Sequence, residues 1–564
     1  MNLVRIKDLY KSYGDKVLFD HISFNINKGD KIGLLGINGT GKSTLLRIIV
    51  GQDHYEEGEV NLLSNMRVEY LSQNPSFDDQ STVLDQIFKS DTREVKIIKE
   101  FEKTLSEIDK GEKSLLEKLT RLQNEMDLNN LWSYESEIKS ILTKLKIIDF
   151  DERIGNLSGG QKKRIALAAS LVTECDLLVL DEPTNHMDSE MTDWLEKYLN
   201  ERKGSLMMVT HDRYFLDRVT NHIIELDNGN IYKYDGNYTY FVEKKLDRQN
   251  IEISTRIKNE KLYKKELEWI RKGAKARTTK QKARIDRFDD LKLNISQDSV
   301  ENFEISVATT RLGKSVIEPK GISKSYDNQI LIDDFSHIIK KQDKIGVVGP
   351  NGSGKSTFLK IILRQIQPDS GEILIGQTVK TAYFSQENET LDESMRVIDY
   401  IRDSGEFLQS ANGEYLSASK MLEKFLFSGA TQYNYIGRLS GGEKRRLYLL
   451  KSLMEAPNVI FLDEPTNDLD ITTLSILEDY FDDFNGIIIV ISHDRYFLDR
   501  VCNTIISFEG DGKLVVHTGN YSEYLERQQF GETIDEKEEV KKVTDYKMNK
   551  PKKLKLSFKE QVEY

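Results

Sequence analysis

The nine residues HDRYFLDRV occur at His211 to Val219 and again, letter for letter, at His493 to Val501. An internal match of this quality means that one structural plan is used twice along the chain. The offset of 282 residues also relates Ser158 to Ser440 and Asp181 to Asp463, whereas Lys42 to Lys355 and Gln73 to Gln386 are offset by 313. The first copy therefore carries 31 extra residues between its glutamine and its Ser-Gly-Gly turn, in a charged, helix-patterned stretch at about 89–132.

Each copy holds the same ordered set of features. The segment LSGGQKKRIALAASLVTECDLLVLDEPTNHMD runs from Leu157 to Asp188, and LSGGEKRRLYLLKSLMEAPNVIFLDEPTNDLD from Leu439 to Asp470. Paired glycines let a backbone approach a ligand closely, and the helix they open presents N–H groups that favour an anion. Ser158, Gly159 and Gly160, with Ser440, Gly441 and Gly442, therefore read as phosphate-binding caps. The run Leu177 to Leu180 is too short for a helix and too apolar for a surface strand, so a buried parallel strand with function at its carboxyl end fits. Asp181 and Asp463 then stand where Mg²⁺ would be held, and Glu182 and Glu464 where a water could be activated. Upstream, KIGLLGINGTGKSTLLRII and KIGVVGPNGSGKSTFLKII each set G-x-x-x-x-G-K-S between an apolar run and a helix. Such a loop wraps phosphates with successive N–H groups, sends its lysine to the outer phosphates and places its serine hydroxyl on Mg²⁺. The binding set is Gly36, Asn38, Gly39, Thr40, Gly41, Lys42, Ser43 and Thr44 in the first copy. In the second it is Gly349, Asn351, Gly352, Ser353, Gly354, Lys355, Ser356 and Thr357.

Length and composition limit the alternatives. At 564 residues the chain suits about four compact units, and 38% hydrophobic with 31% charged residues is ordinary for a soluble globular protein. No apolar run approaches the roughly 20 residues that span a bilayer, and the N-terminus is not a signal peptide. A cytoplasmic protein without a membrane partner is expected. Cys175 and Cys502 share no metal or redox spacing. The net charge of -12 argues against indiscriminate polyanion binding, yet between Arg256 and Arg287 there are 13 Lys or Arg against four acids. Roughly Tyr240 to Leu293 reads as two helices with a polar turn, and Arg271, Lys272, Lys275, Arg277, Lys280, Lys282 and Arg284 are its candidate nucleic-acid contacts. The expected organisation is a first domain at 1–239, a basic linker at 240–300, a second domain at 301–530 and a charged, disordered tail at 531–564.

Ser-Gly-Gly-Gln ahead of an apolar run ending in Asp-Glu resembles the signature and Walker B motifs of ATP-binding cassette (ABC) ATPases. That resemblance implies an α/β fold of two tandem P-loop ATPase domains, each a RecA-like core with a helical subdomain, joined by a basic helical hairpin. It implies ATP hydrolysis with ATP and Mg²⁺. Gln73 and Gln386 resemble the glutamine that senses Mg²⁺ and the attacking water, His211 and His493 the switch histidine on the γ-phosphate, and Tyr13 and Tyr326 the aromatic that stacks on adenine. Two cassettes on one chain with a charged helical linker further resemble the ABC-F subfamily, and WIRKGAKARTTKQKARI looks most like its Uup-type branch. Membership implies binding to the ribosome, with the linker at ribosomal RNA and the P-site tRNA, in stall relief or antibiotic target protection. A DNA-associated role is the alternative that the Uup branch implies, and a transporter subunit a further one. A monomer is expected, its two cassettes pairing so that each ATP lies between the loop of one and the signature turn of the other.

Overall fold

The computed structural model describes residues 1–14, 16–87, 93–109, 115–129, 131–185, 187–271, 315–326, 329–385, 391–405, 407–409, 415–466 and 469–528. Two copies of one architecture follow each other. The first is built on a six-stranded sheet in the order Val68–Leu71, Leu177–Asp181, Ser205–Val209, Lys31–Gly36, His222–Asp227, Asn230–Tyr234. Every pairing is parallel except the last, a hairpin. The second repeats the order as Thr381–Phe384, Val459–Asp463, Ile487–Ile491, Lys344–Val348, Thr504–Phe508, Leu514–Thr518.

The central strands are apolar on both faces because both faces are covered. All five residues of Leu177–Asp181 and of Ser205–Val209 are buried. Strand periodicity sends Leu177, Val179, Met207 and Val209 to a core shared with an antiparallel sheet, and Leu178, Leu180, Leu206 and Met208 to a core shared with helices. The antiparallel sheet pairs Asn2–Tyr13 with Lys16–Asn27 and Glu57–Leu62. Its counterpart is built on Ser315–Tyr326.

The extra residues of the first copy include the helices Arg93–Asp109 and Leu116–Leu128. Their surface is charged, yet Ile97, Ile98, Phe101, Leu122 and Met126 are buried in the helical core. The second copy has the short hairpin Phe407–Gln409 and Tyr415–Ser417 in the corresponding part of the chain.

Between the copies a helix runs from Tyr238 to Arg271, 34 residues and so about 51 Å, and the second helix expected of the linker lies outside the described residues. Asp217 Oδ1 caps its first turn at Thr239 N, 2.7 Å away. Two turns on, buried Glu225 receives Lys245 at 2.6 Å, Arg248 at 2.9 Å and the Tyr234 hydroxyl at 3.1 Å. The linker thus starts as a rigid extension of the first copy. Lys272, Lys275, Arg277, Lys280, Lys282 and Arg284 lie outside the described residues, as does the tail from 529.

One glycine in each antiparallel sheet is required by a close approach. Gly58 has φ +101°, and a Cβ there would run into the Asp8 carbonyl; Gly371 stands in the same relation to Gly321. Gly58→Ala should therefore destabilise the first copy by about 1–3 kcal/mol. Gly51, at φ +76° with open space around it, is the control and should lose less on the same change. Thermal unfolding of both variants checks this, and equal losses would contradict the steric argument.

Candidate functional site

The two Gly-Lys-Ser loops connect the central strands Lys31–Gly36 and Lys344–Val348 to the helices Lys42–Ile49 and Lys355–Ile362. Gly41 and Gly354 precede those helices in the left-handed conformation, at φ 100° and 103°. Lys42 Nζ folds onto its own loop, donating to Gly36 O at 2.7 Å and Asn38 Oδ1 at 3.2 Å. Lys355 Nζ donates to Gly349 O at 2.8 Å and Pro350 O at 2.9 Å. Burial pushes both ammoniums below their ordinary values, opposed by Asp470, Glu182 and Asp181 around Lys42 and by Glu464, Asp188 and Asp463 around Lys355. The Thr40 hydroxyl closes its loop on Ile37 O at 2.8 Å, and Ser353 Oγ, its counterpart, is buried.

The neighbouring strand brings the acid pair. Ser356 Oγ donates to Asp463 Oδ1 at 3.2 Å, and Asp181 Oδ2 is buried without a hydrogen-bond partner among the described residues. Burial raises both aspartates, with the Ser43 and Ser356 hydroxyls pulling the other way. Glu182 and Glu464 follow at φ 55° and 50°, a left-handed backbone that costs a non-glycine residue about 1–3 kcal/mol. Their N–H groups are held by Val209 O at 2.8 Å and Ile491 O at 2.9 Å. The turn brings each carboxylate to the histidine at the end of the next strand: His211 Nε2 is 3.1 Å from Glu182 Oε1, and His493 Nε2 is 3.5 Å from Glu464 Oε1 and 3.1 Å from Asn351 Oδ1. Burial, then the nearby lysine, depresses both histidines to about 3, so both imidazoles are neutral. Burial lifts Glu464 to about 8 against the pull of Lys355.

Two cavities open between the copies. One, of about 740 Å³, is lined by Lys42, Ser43, Thr44, Asn38, Gly39, Gly41, Gln73, Asp181, Glu182 and Tyr13 from the first copy and by Ser440, Gly441, Gly442 and Arg445 from the second. The other, of about 560 Å³, is lined by Lys355, Ser356, Thr357, Asn351, Gly352, Gly354, Asp463, Glu464 and His493 from the second copy and by Ser158, Gly160, Gln161 and Arg164 from the first. Both Ser-Gly-Gly turns begin helices, Gly159–Val172 and Gly441–Met454, through capping boxes in which Gln161 and Glu443 reach back to the serine. Asn38 N donates across the interface to Asp470 Oδ2 at 3.1 Å. Tyr326, half exposed, is not among the residues lining the smaller cavity, where Leu331 forms part of the wall. Gly159 also stands outside that lining. Gln386 lies outside the described residues, and Arg271 is the last described residue of the linker helix.

A family model described as ABC transporter matches residues 19–185 and 332–467, and a companion model, ABC_tran_Xtn, matches 224–305, across the linker. The chain is 46% identical over 566 residues to the uncharacterized ABC transporter ATP-binding protein YfmR of Bacillus subtilis, covering 100% of this chain and 90% of that one. It is 39% identical to the energy-dependent translational throttle protein EttA of Escherichia coli K12 over 90% of this chain and 92% of that one. This chain is an ABC-F family ATPase. Among solved structures it is similar to the archaeal ribosome recycling factor aABCE1, with TM-score 0.59 at 19% identity over 93% of this chain and 92% of that one, a likeness of fold. No helix of the described residues is long and apolar enough to cross a membrane.

Sequence reasoning missed several residues that this ABC-F chain brings to its sites. Arg445 and Lys163 from the signature helices line the larger cavity, and Arg164 the smaller one. Asp212 and Asp494, beside the histidines, cap their helices by accepting from Phe215 N at 2.9 Å and Phe497 N at 3.1 Å. The signal was available, because the identical HDRYFLDRV repeat preserves the aspartate and arginine as strictly as the histidine.

Burial and then the charge of Asp494 push Asp212 up to about 7. A carboxyl that titrates near 7 when folded and near 3.9 when unfolded favours folding at low pH, and this contribution is lost as pH rises through 7. Asp212→Asn keeps an oxygen for the cap and removes the titration. Its stability relative to the parent should rise between about pH 5 and about pH 8, measured as a difference in unfolding midpoint. A difference independent of pH would contradict the assignment.

Proposed function

We propose that the chain binds and hydrolyses ATP at two composite sites and uses the resulting closed and open states to act on translation at the ribosome. The observation that carries this reading is the pairing across the cassettes, with Ser440 and Gly442 facing the Lys42 loop and Ser158 and Gly160 facing the Lys355 loop. An ATP held between such halves stabilises the closed form by its differential affinity for that form, and hydrolysis removes the effect. Lys42 and Lys355 exchange loop carbonyls for outer phosphate oxygens. The helix N-termini at Gly159 and Gly441 present N–H groups to the phosphates from the far side. Glu182 and Glu464 orient and deprotonate the water, and the neutral His211 and His493 hold the γ-phosphate beside them.

The residues present suit Mg²⁺ carried by a nucleotide. No cluster of three or more His, Cys, Asp or Glu able to hold a metal occurs among the described residues, but Ser43 with Asp181, and Ser356 with Asp463, supply the one or two oxygens that Mg²⁺ takes from protein when phosphates supply the rest. Bound there, it would neutralise charge on the transferring phosphoryl group. Gln73 borders this place, and Gln386 has the equivalent role in the second site.

Translation as the target is supported by the relatives called energy-dependent translational throttle proteins and by the cationic sequence of the linker, whose charge suits nucleic-acid phosphates, with ribosomal RNA and the P-site tRNA as the proposed contacts. Stall relief or antibiotic target protection is the outcome proposed for this cycle. The double variant Glu182→Gln, Glu464→Gln should turn over ~10²- to 10⁴-fold more slowly while co-sedimenting with ribosomes in an ATP-dependent way. Fast turnover, or capture indifferent to ATP, contradicts the mechanism.

Linker contact with phosphates makes capture steeply salt-dependent, by roughly 10³-fold between about 50 and about 200 mM if six or more contacts form. Neutralising Lys275, Arg277, Lys280, Lys282 and Arg284 should flatten that dependence. A salt-independent complex that survives the change would make the linker a spacer, and branched DNA outcompeting ribosomes would favour the DNA-associated reading.

A further inference from the structure

The nine-residue repeat places an arginine two residues after each strand-end histidine, and both arginines cross to the opposite cassette. Arg213 Nη1 donates to both oxygens of Glu478, at 2.9 and 3.0 Å, and Nη2 to Ile471 O at 3.2 Å. The side chains of Arg213 and Glu478 are 2% and 0% exposed. Arg500 reaches the same carboxylate from within the second cassette at 3.0 Å, and the Tyr496 ring lies 4.8 Å from the Arg213 guanidinium.

Arg495 makes the matching crossing. Its Nη2 donates to Ser189 O at 3.2 Å, and Ser189 is the counterpart of Ile471 at the 282-residue offset. The acid it meets differs. Asp193, 2.7 Å away, is 43% exposed, while Glu196, the counterpart of Glu478, is taken by Arg218 of its own cassette at 3.2 Å. The backbone contact is therefore common to both crossings, and the ion pair is buried in one, with Nη1 shared between both carboxylate oxygens, but at the solvent edge in the other.

Each arginine meets, in the opposite cassette, a stretch of chain that abuts one nucleotide site, although His211 and Asp212 themselves line the Lys355 cavity. Ile471 follows Asp470, which accepts the Asn38 N–H beside Lys42. Met187 and Thr192, either side of Ser189, line the cavity that contains Lys355. An exposed pair contributes little and is screened by salt. A buried pair is costly to break by removing one member, yet often tolerates replacement of both by apolar residues of similar volume.

We propose that Arg213 is a positioning residue that holds the Lys42 site closed through its buried pair with Glu478, so that this site releases nucleotide more slowly than the Lys355 site. The assignment rests on the composite-site reading. When the cassettes part, Glu478 keeps Arg500 as its partner and Arg213 gains water, so the pair can open and re-form without stranding a charge. The edge held by Arg495 and Asp193 parts first.

The test uses the full chain carrying Glu182→Gln and Glu464→Gln, loaded with a fluorescent ATP analogue and chased with unlabelled ATP. Two release phases are expected, and added salt should accelerate the fast one more. Arg213→Met should speed the slow phase at least tenfold, and adding Glu478→Met should restore it, which a general loss of folding could not do. Arg495→Met should accelerate only the fast phase. Acceleration of one common phase by both arginine variants would overturn the proposal. So would a single release phase in a parent that retains the analogue. A parent that retains no analogue would overturn the composite-site reading, and this assignment with it.

Discussion

Neither cassette walls a Gly-Lys-Ser cavity by itself, and the rest of the structure follows from that incompleteness. Each central strand ends in a loop that supplies N–H groups and a lysine to one side of an anion. The opposing N–H groups belong to a helix whose glycine start projects away from its own loop and toward the other cassette's. The hydrogen bond from Asn38 N to Asp470 Oδ2, 3.1 Å long, and the crossings of Arg213 and Arg495 hold the half-sites in that head-to-tail relation. Because the helix N-terminus favours an anion through dipole and free N–H groups alike, the proposed mechanism makes closing the two halves and binding the phosphates one event.

The chemistry of each site depends on burial as much as on residue type. Aspartate, glutamate and histidine converge in a space that disfavours charge, so the histidines are neutral and Glu464 is lifted to about 8. The positive φ of Glu182 and Glu464 turns the chain sharply at the strand end. This strain is held by the backbone bonds to Val209 and Ile491 and sets the carboxylate beside the histidine instead of along the sheet.

What the sequence disclosed and what it hid divides along the range of the interactions. The Gly-Lys-Ser loops, the Ser-Gly-Gly caps and the apolar strands ending in Asp-Glu are written in consecutive residues, and turn chemistry and periodicity make them readable. The cross-pairing of loop and cap came only through resemblance, since no spacing encodes it. The Arg213 to Glu478 pair spans 265 positions, and duplication alone misleads there, because Glu196 at the equivalent place serves Arg218 within its own cassette. In the insertion, charged residues masked a buried face at Ile97, Ile98 and Phe101. Tyr13 and Tyr326 looked equivalent in sequence, yet only Tyr13 is among the residues lining a cavity described here.

The central claim is that each cap works on the other cassette's loop, and ATP turnover in single-glutamate backgrounds tests it most directly. With Glu464→Gln, hydrolysis is left to Glu182 in the Lys42 site. There Ser440→Arg should abolish the remaining activity while Ser158→Arg spares most of it, and with Glu182→Gln the pattern should reverse. If each arginine instead silences the glutamate of its own cassette, the sites are not shared and the account is wrong.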